Sequence, residues 1–114
     1  MPVNSFGITF PDLDLTTAGT VLAVIPVGNM TKLSVSAEKT GGTNWNTGVV
    51  GVQWRNGTGA PRDFATVQTL RSSDPALLDL DVSSVQDVVL IVSTAESAIK
   101  ITAHVWATDA QSGA

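Results

Sequence analysis

Three absences narrow the chemistry open to this chain. It has no cysteine, which excludes a disulfide scaffold, a thiolate zinc site and a cysteine nucleophile together. It has no tyrosine and a single histidine, His104. A Ser-His-Asp arrangement would have to run through that one imidazole, and a multi-histidine metal site is out of reach. No Gly-x-Ser-x-Gly elbow accompanies it, and the glycine-rich stretches do not open helices, which removes the usual phosphate cradle. The expectation is a chain with no catalytic residues, no cofactor and no metal centre, hence not an enzyme. Calcium alone stays open as an alternative. Asp12 and Asp14 share one face of a segment, and Asp79 and Asp81 share a face of another, while Ca²⁺ takes about six to eight oxygens, mostly from clustered carboxylates. No EF-hand pattern is present, and a half-exposed acidic strand shows the same Asp-Leu-Asp alternation.

Charge is the second scarcity. Only 14% of residues are charged, against about 25% in an average soluble protein. Six basic and ten acidic residues give a net charge of −4. The cations Lys32, Lys39, Arg55, Arg62, Arg71 and Lys100 are scattered, without the run or stripe that releases counterions from phosphates, so no nucleic acid partner is expected. Solubility rests instead on Thr, Ser, Asn, Gln and Gly. Such a surface loses its water easily and suits a protein packed against others. The apolar stretch from Val21 to Val27 is far too short to span a bilayer, and Met1-Pro2-Val3-Asn4 lacks the basic start of a secretory leader. No membrane partner is expected either.

What the chain does have is alternation punctuated by turns. Its 114 residues suit one domain, residues 1–114, long enough to bury a core without metal or disulfide. Phe6, Ile8 and Phe10 lie on one face of a first strand, which Pro11 is expected to end. Leu13 and Leu15 alternate with Asp12, Asp14 and Thr16. Thr20 to Val27 is apolar on both faces and reads as a central strand. Leu33, Val35 and Ala37 point inward from a clean period of two, with Lys32, Ser34, Ser36 and Glu38 outward. Val50, Val52 and Trp54 share a face, which predicts a core position for Trp54. Asn56-Gly57-Thr58-Gly59 is the strongest turn signal in the chain. Phe64 to Leu70 forms a strand whose inward face is ambiguous. Leu78, Leu80 and Val82 alternate with Asp79 and Asp81, and Val88 to Val92 is an apolar run buried on both faces. Ile99, Ile101, Ala103 and Val105 point one way, and Lys100, Thr102, His104 and Trp106 the other. Only Asp74-Pro75-Ala76 and Ser83 to Gln86 have room for a helical turn. About eight or nine short strands result, at the spacing of an antiparallel, jelly-roll-like β-sandwich.

The residues most suited to contact a partner are the aromatics outside that core pattern. Trp45 stands in the polar loop 41–46, and Trp106 stands two residues beyond His104 on an outward face. Exposed tryptophan anchors protein interfaces and also stacks on sugar rings. Residues 1–10, with Phe6, form a candidate N-terminal arm able to add to a neighbour's sheet. Trp106, His104, Trp45 and Phe6 are therefore the interface candidates. The alternative for Trp106 is that it caps the end of the core under a loop.

The segment LDLDVSSVQDVVLIV (Leu78 to Val92), continued through Ser93-Thr94-Ala95 to the final strand IKITAHVWA, resembles the small Thr/Val/Gly-rich β-sandwich proteins that decorate or cement the capsids of tailed bacteriophages. Related β-domains of phage tails share the pattern. The resemblance covers the last third of the chain by pattern and the rest by composition. It implies a non-enzymatic, oligomeric virion protein bound to a major capsid or other virion protein, and carries over no residue-level site. A carbohydrate- or receptor-binding β-sandwich module is the alternative, though aromatic content of 5% is low for a sugar-binding face.

Overall fold

Side chains alternate across a strand, so each period-two segment has one face to bury, and two sheets laid face to face bury both. The computed structural model describes residues 5–42, 44–72 and 77–109. Among them there is no helix, and eight strands form: β1 (Ser5–Asp14), β2 (Val21–Pro26), β3 (Lys32–Gly41), β4 (Val49–Arg55), β5 (Arg62–Arg71), β6 (Leu77–Asp81), β7 (Asp87–Thr94) and β8 (Lys100–Thr108). They make two four-stranded sheets, ordered β1-β8-β3-β6 and β2-β7-β4-β5, with antiparallel pairing throughout. Apart from the β4–β5 hairpin, every connection crosses from one sheet to the other. This is the two-Greek-key winding of a jelly roll, as the turn spacing predicts.

The core lies between the sheets. One wall is Leu33, Val35, Leu80, Ile101, Ala103, Val105 and Ala107, and the other is Ile25, Val50, Val52, Leu70, Val88, Leu90 and Val92, all buried. Each fully buried Leu, Ile or Val contributes roughly 1.5–3 kcal/mol relative to exposure. The inward sets expected from β3, β6 and β8 are the observed ones. Val88 to Val92 is β7, which sits between β2 and β4, where the inner face is core and the outer face is flanked on both sides.

Three expectations need correction. Pro11 does not end the first strand: β1 runs on to Asp14 through a bulge between Phe10 and Leu13, with Asp12 at φ 54°. Pro lacks only its own N–H, and an edge strand with a bulge needs no donor there. Val21 to Pro26 is not a central strand but the edge of its sheet, leaving Val21 and Val24 exposed on the outer face. Burial on both faces cannot be read from an apolar run of this length alone. Ser83 to Gln86 is a turn between β6 and β7, without helix, while Asp74-Pro75-Ala76 lies outside the described residues.

The two ends of the sandwich are tied differently. At one end, the β7–β8 loop braces the segment before β4. The Glu96 carboxylate accepts backbone N–H bonds from Asn46, Thr47 and Gly48 at 2.8–3.2 Å, and the Glu96 N–H donates to Leu15 O at 2.9 Å. The Gly48 bond foremost, with those of Asn46 and Thr47, outweighs desolvation and holds this carboxyl below its ordinary pKa. At the other end, Thr31 N–H bonds Thr108 O, Val82 N–H bonds Thr31 O, and Val27 N–H bonds Gln86 O, each at 2.8–2.9 Å. The Asn56-Gly57 turn docks onto this second end through Asn56 Nδ2 to Ser84 O and Gln86 N–H to Asn56 Oδ1. Gly57 takes φ 70° there, as its place in the turn requires.

Candidate interaction surface

The outer face of the β1-β8-β3-β6 sheet brings two of the four interface candidates together. Strand register sets its rows. Gly7, Trp106, Ser34 and Asp79 lie side by side across the sheet, and Thr9, His104, Ser36 and Leu77 form the next row. Trp106 is 53% exposed. It can lie flat because its neighbours in the row are small. A Cβ added at Gly7 would come within 3.2 Å of Trp106 Cε3, so the indole covers the Gly7 backbone and turns its other side to solvent. His104 is pinned between neighbours: Nδ1 is 3.2 Å from Thr9 Oγ1 and Nε2 is 3.3 Å from Glu38 Oε1. The side chain of Glu38 is itself 65% exposed. An exposed indole therefore shares the outer sheet face with a hydroxyl, imidazole and carboxylate chain that begins in the next row.

The hydroxyl, imidazole and carboxylate of Thr9, His104 and Glu38 have the residue types of a hydrolase triad. Their setting is the exposed outer face of the β1-β8-β3-β6 sheet.

The other two candidates stand elsewhere. Trp45 is not a loop-borne anchor: it is 8% exposed and belongs to the core. Its Nε1–H donates to Gly48 O at 2.8 Å, so a polar loop folds its one large apolar residue underneath itself. Phe6 is half-buried, packed against the core from the inner face of β1. From Ser5 onward the expected arm is paired with β8, while Met1 to Asn4 lie outside the described residues.

The acidic pairs are kept apart by strand order. Asp12 and Asp14 are on β1, Asp79 and Asp81 on β6, at opposite edges of the same sheet. Asp14 accepts from the Thr16 hydroxyl and N–H, and Asp81 from the Ser83 hydroxyl and N–H at 2.6 and 3.0 Å. These bonds to the ionised form hold both carboxyls below their ordinary pKa. Each is the cap of its own turn. Among the described residues, no group of three or more His, Asp or Glu side chains is arranged to hold a metal ion.

One feature escaped the sequence reading. A cleft of about 500 Å³ opens at the second end of the sandwich, between the β4–β5 hairpin and the β6–β7 turn. Trp54, Phe64 and Val85 give it apolar walls, and Asp81, Ser83 and Ser84 a polar rim. Trp54 shares its face with Val50 and Val52 as expected, but it is only half-buried. It lies near the end of β4, where it lines the cleft, and its Nε1–H donates to Asp63 O at 3.1 Å. Phe64 resisted assignment because β5 bulges there: Gln68 pairs with Val52 and Asp63 with Gln53, leaving residues 64–67 out of register. The signal available beforehand was an aromatic two residues before the Asn-Gly turn, where a strand's side chains overhang the core's rim.

No protein-family model and no curated protein sequence matches the chain. Its structure is similar to the crystal structure of the SPBc2 prophage-derived protein YomS, with a TM-score of 0.64 at 11% sequence identity, covering 95% of this chain and 96% of that one. At that identity the likeness is one of fold, and it extends over nearly the whole length of both chains.

Proposed function

We propose that this chain is a non-enzymatic structural protein of a phage particle, a decoration or cement subunit that stabilises a shell through protein-protein contacts. The observation that carries the reading is Trp106, 53% exposed on an inner strand of a four-stranded sheet and backed by Gly7. A large rigid side chain held out of the core on a regular sheet is the usual anchor of a protein interface. The row nearest the indole is small and mostly uncharged on either side, Gly7 and Ser34, which limits the desolvation needed to cover that spot. The phage resemblance of Leu78 to Val92 supports the assignment, as does the prophage origin of a protein sharing the fold. The partner is the major capsid protein or another virion protein, and a homo-oligomer is the expected assembly.

The test is co-sedimentation of the isolated protein with capsid shells of its parent phage, alongside light scattering of the protein alone. Shell binding or self-association, reduced at least tenfold in Trp106→Ala, is the expected result. A strict monomer that ignores every shell overturns the proposal. A second reading, carbohydrate or receptor binding, draws on the same indole, whose open side with Ser34 and Asp79 in its row offers a stacking surface beside hydrogen-bonding groups. Glycan-array binding lost in Trp106→Ala would favour it over the capsid assignment.

A further inference from the structure

The cleft at the second end has a chemistry of its own. Two aromatic walls, Trp54 and Phe64, share the cleft with a rim on which Asp81 is the one charged lining residue among the described residues. The other polar groups nearby are largely committed. Both ends of the Asn56 amide are bonded, to Ser84 O and Gln86 N, and Trp54 Nε1 is bonded to Asp63 O. Both Ser83 bonds go to one carboxylate oxygen, Oδ1, which leaves Oδ2 to accept from outside. Asp81 is in neither the Arg55–Asp87 nor the Glu38–His104 pair. Lys32 stands across from it in β3 and its charge acts on the Asp81 carboxylate, but it does not line the cleft.

We infer that this cleft receives the guanidinium of an arginine presented by a protein partner, stacked between Trp54 and Phe64 and bonded to Asp81. The inference names the chemistry of a partner and so rests on the reading of the chain as a protein-binding subunit. A cation over an aromatic face is attracted by the ring quadrupole, and a planar guanidinium stacks where an ammonium does not. A carboxylate with a free oxygen supplies the charge-assisted bond. A sugar would need several free donors and acceptors on the rim, and most of these are already engaged. The net charge of −4 favours approach of a basic segment.

The experiment is a ¹⁵N–¹H NMR titration of the isolated protein with N-acetyl-arginine amide, run beside N-acetyl-norleucine amide and methyl glucoside. The arginine probe should shift the Trp54 indole N–H and the amides of Phe64 and Ser83 to Val85, with a Kd on the order of millimolar, weakened by added salt. Asp81→Asn keeps the Oδ1 acceptor for Ser83 and removes the charge. It should weaken the arginine probe about fivefold, the scale of one partly screened charge pair, with the dispersed spectrum reporting an intact fold. Salt dependence in the unsubstituted protein tests the same charge without a variant. Equal shifts with the norleucine amide overturn the inference in favour of a purely apolar pocket, and shifts with the glucoside overturn it in favour of a sugar site. Silence with all three probes also refutes it. The titration uses no shell, so its failure is separable from failure of the Trp106→Ala binding test.

Discussion

Truncating Trp45 is the most direct probe of how this sandwich closes. The side chain is 8% exposed and sits in the core cluster beside the end tied down by Glu96, with its indole N–H bonded to Gly48 O. Removing a buried tryptophan to alanine costs about 3–5 kcal/mol, from lost transfer energy and the cavity left behind. Trp45→Phe keeps most of the apolar volume but strips the donor from Gly48 O, at about 1 kcal/mol or somewhat more. For a chain of this length roughly 4 °C of Tm accompanies each kcal/mol, so Trp45→Ala should melt about 12–20 °C lower. Urea unfolding followed by far-UV circular dichroism gives the free energies. The midpoint should fall in the order wild type, Trp45→Phe, Trp45→Ala, with the slope m unchanged. Trp106→Ala is the internal control and should stay within about 0.5 kcal/mol of wild type, as an exposed substitution does. If Trp45→Ala costs no more than Trp106→Ala, the placement of Trp45 beneath its loop is wrong, and its role as an exposed anchor is restored.

Three further outcomes follow from the same structure. Gly42 has φ 92° and an added Cβ would lie 2.2 Å from Ala98 O, whereas Gly57 has φ 70° and nothing within 4 Å. Gly57→Ala should therefore cost only the about 1–2 kcal/mol of a left-handed alanine, while Gly42→Ala should cost clearly more by thermal melting; equal losses would contradict the backbone contact. Glu96 has a depressed folded-state pKa, so its stabilisation is complete above the ordinary glutamate value and is lost as pH falls through the lower folded value. Glu96→Gln should be less stable near neutrality and should show a flatter acid limb in urea midpoints against pH; an unchanged acid limb would count against the brace. Gly7→Val would press a branched side chain against the Trp106 ring, whose Cε3 lies 3.2 Å from an added Cβ. It should weaken shell binding while leaving Tm within a few degrees, and retained binding would show that the flat seat of the indole is irrelevant.

Much of the fold was legible because period-two alternation is a local property. Leu33 to Ala37, Leu78 to Val82 and Ile99 to Trp106 each announced which side chains point inward, and each did so correctly. Half the surface was legible for the same reason: His104 and Trp106 fall on the outward parity of a strand whose inward parity is Ile101, Ala103 and Val105. Parity says which face a residue takes, but not where its strand lies in the sheet. Val21 to Pro26 and Val88 to Val92 are apolar runs of similar character, yet one is an edge and the other is central. Trp45 is more buried than its loop position implied and Trp54 less buried than its strand parity implied, for a related reason. A loop residue can be folded under its own loop, and a residue near a strand's end can line a cleft at the rim of the core.

By itself, then, the sequence determined the fold class, the inward and outward faces of most strands, and the lack of cysteine, tyrosine and second-histidine chemistry. Those are consequences of composition and of a two-residue repeat. Tertiary structure alone decided that Asp12 and Asp14 are remote from Asp79 and Asp81, that Gly7 lies beneath Trp106, and that Trp54 and Phe64 open onto one cleft with Asp81. Each of these joins residues from distant parts of the chain through strand order and register, which depend on how all eight strands pair at once.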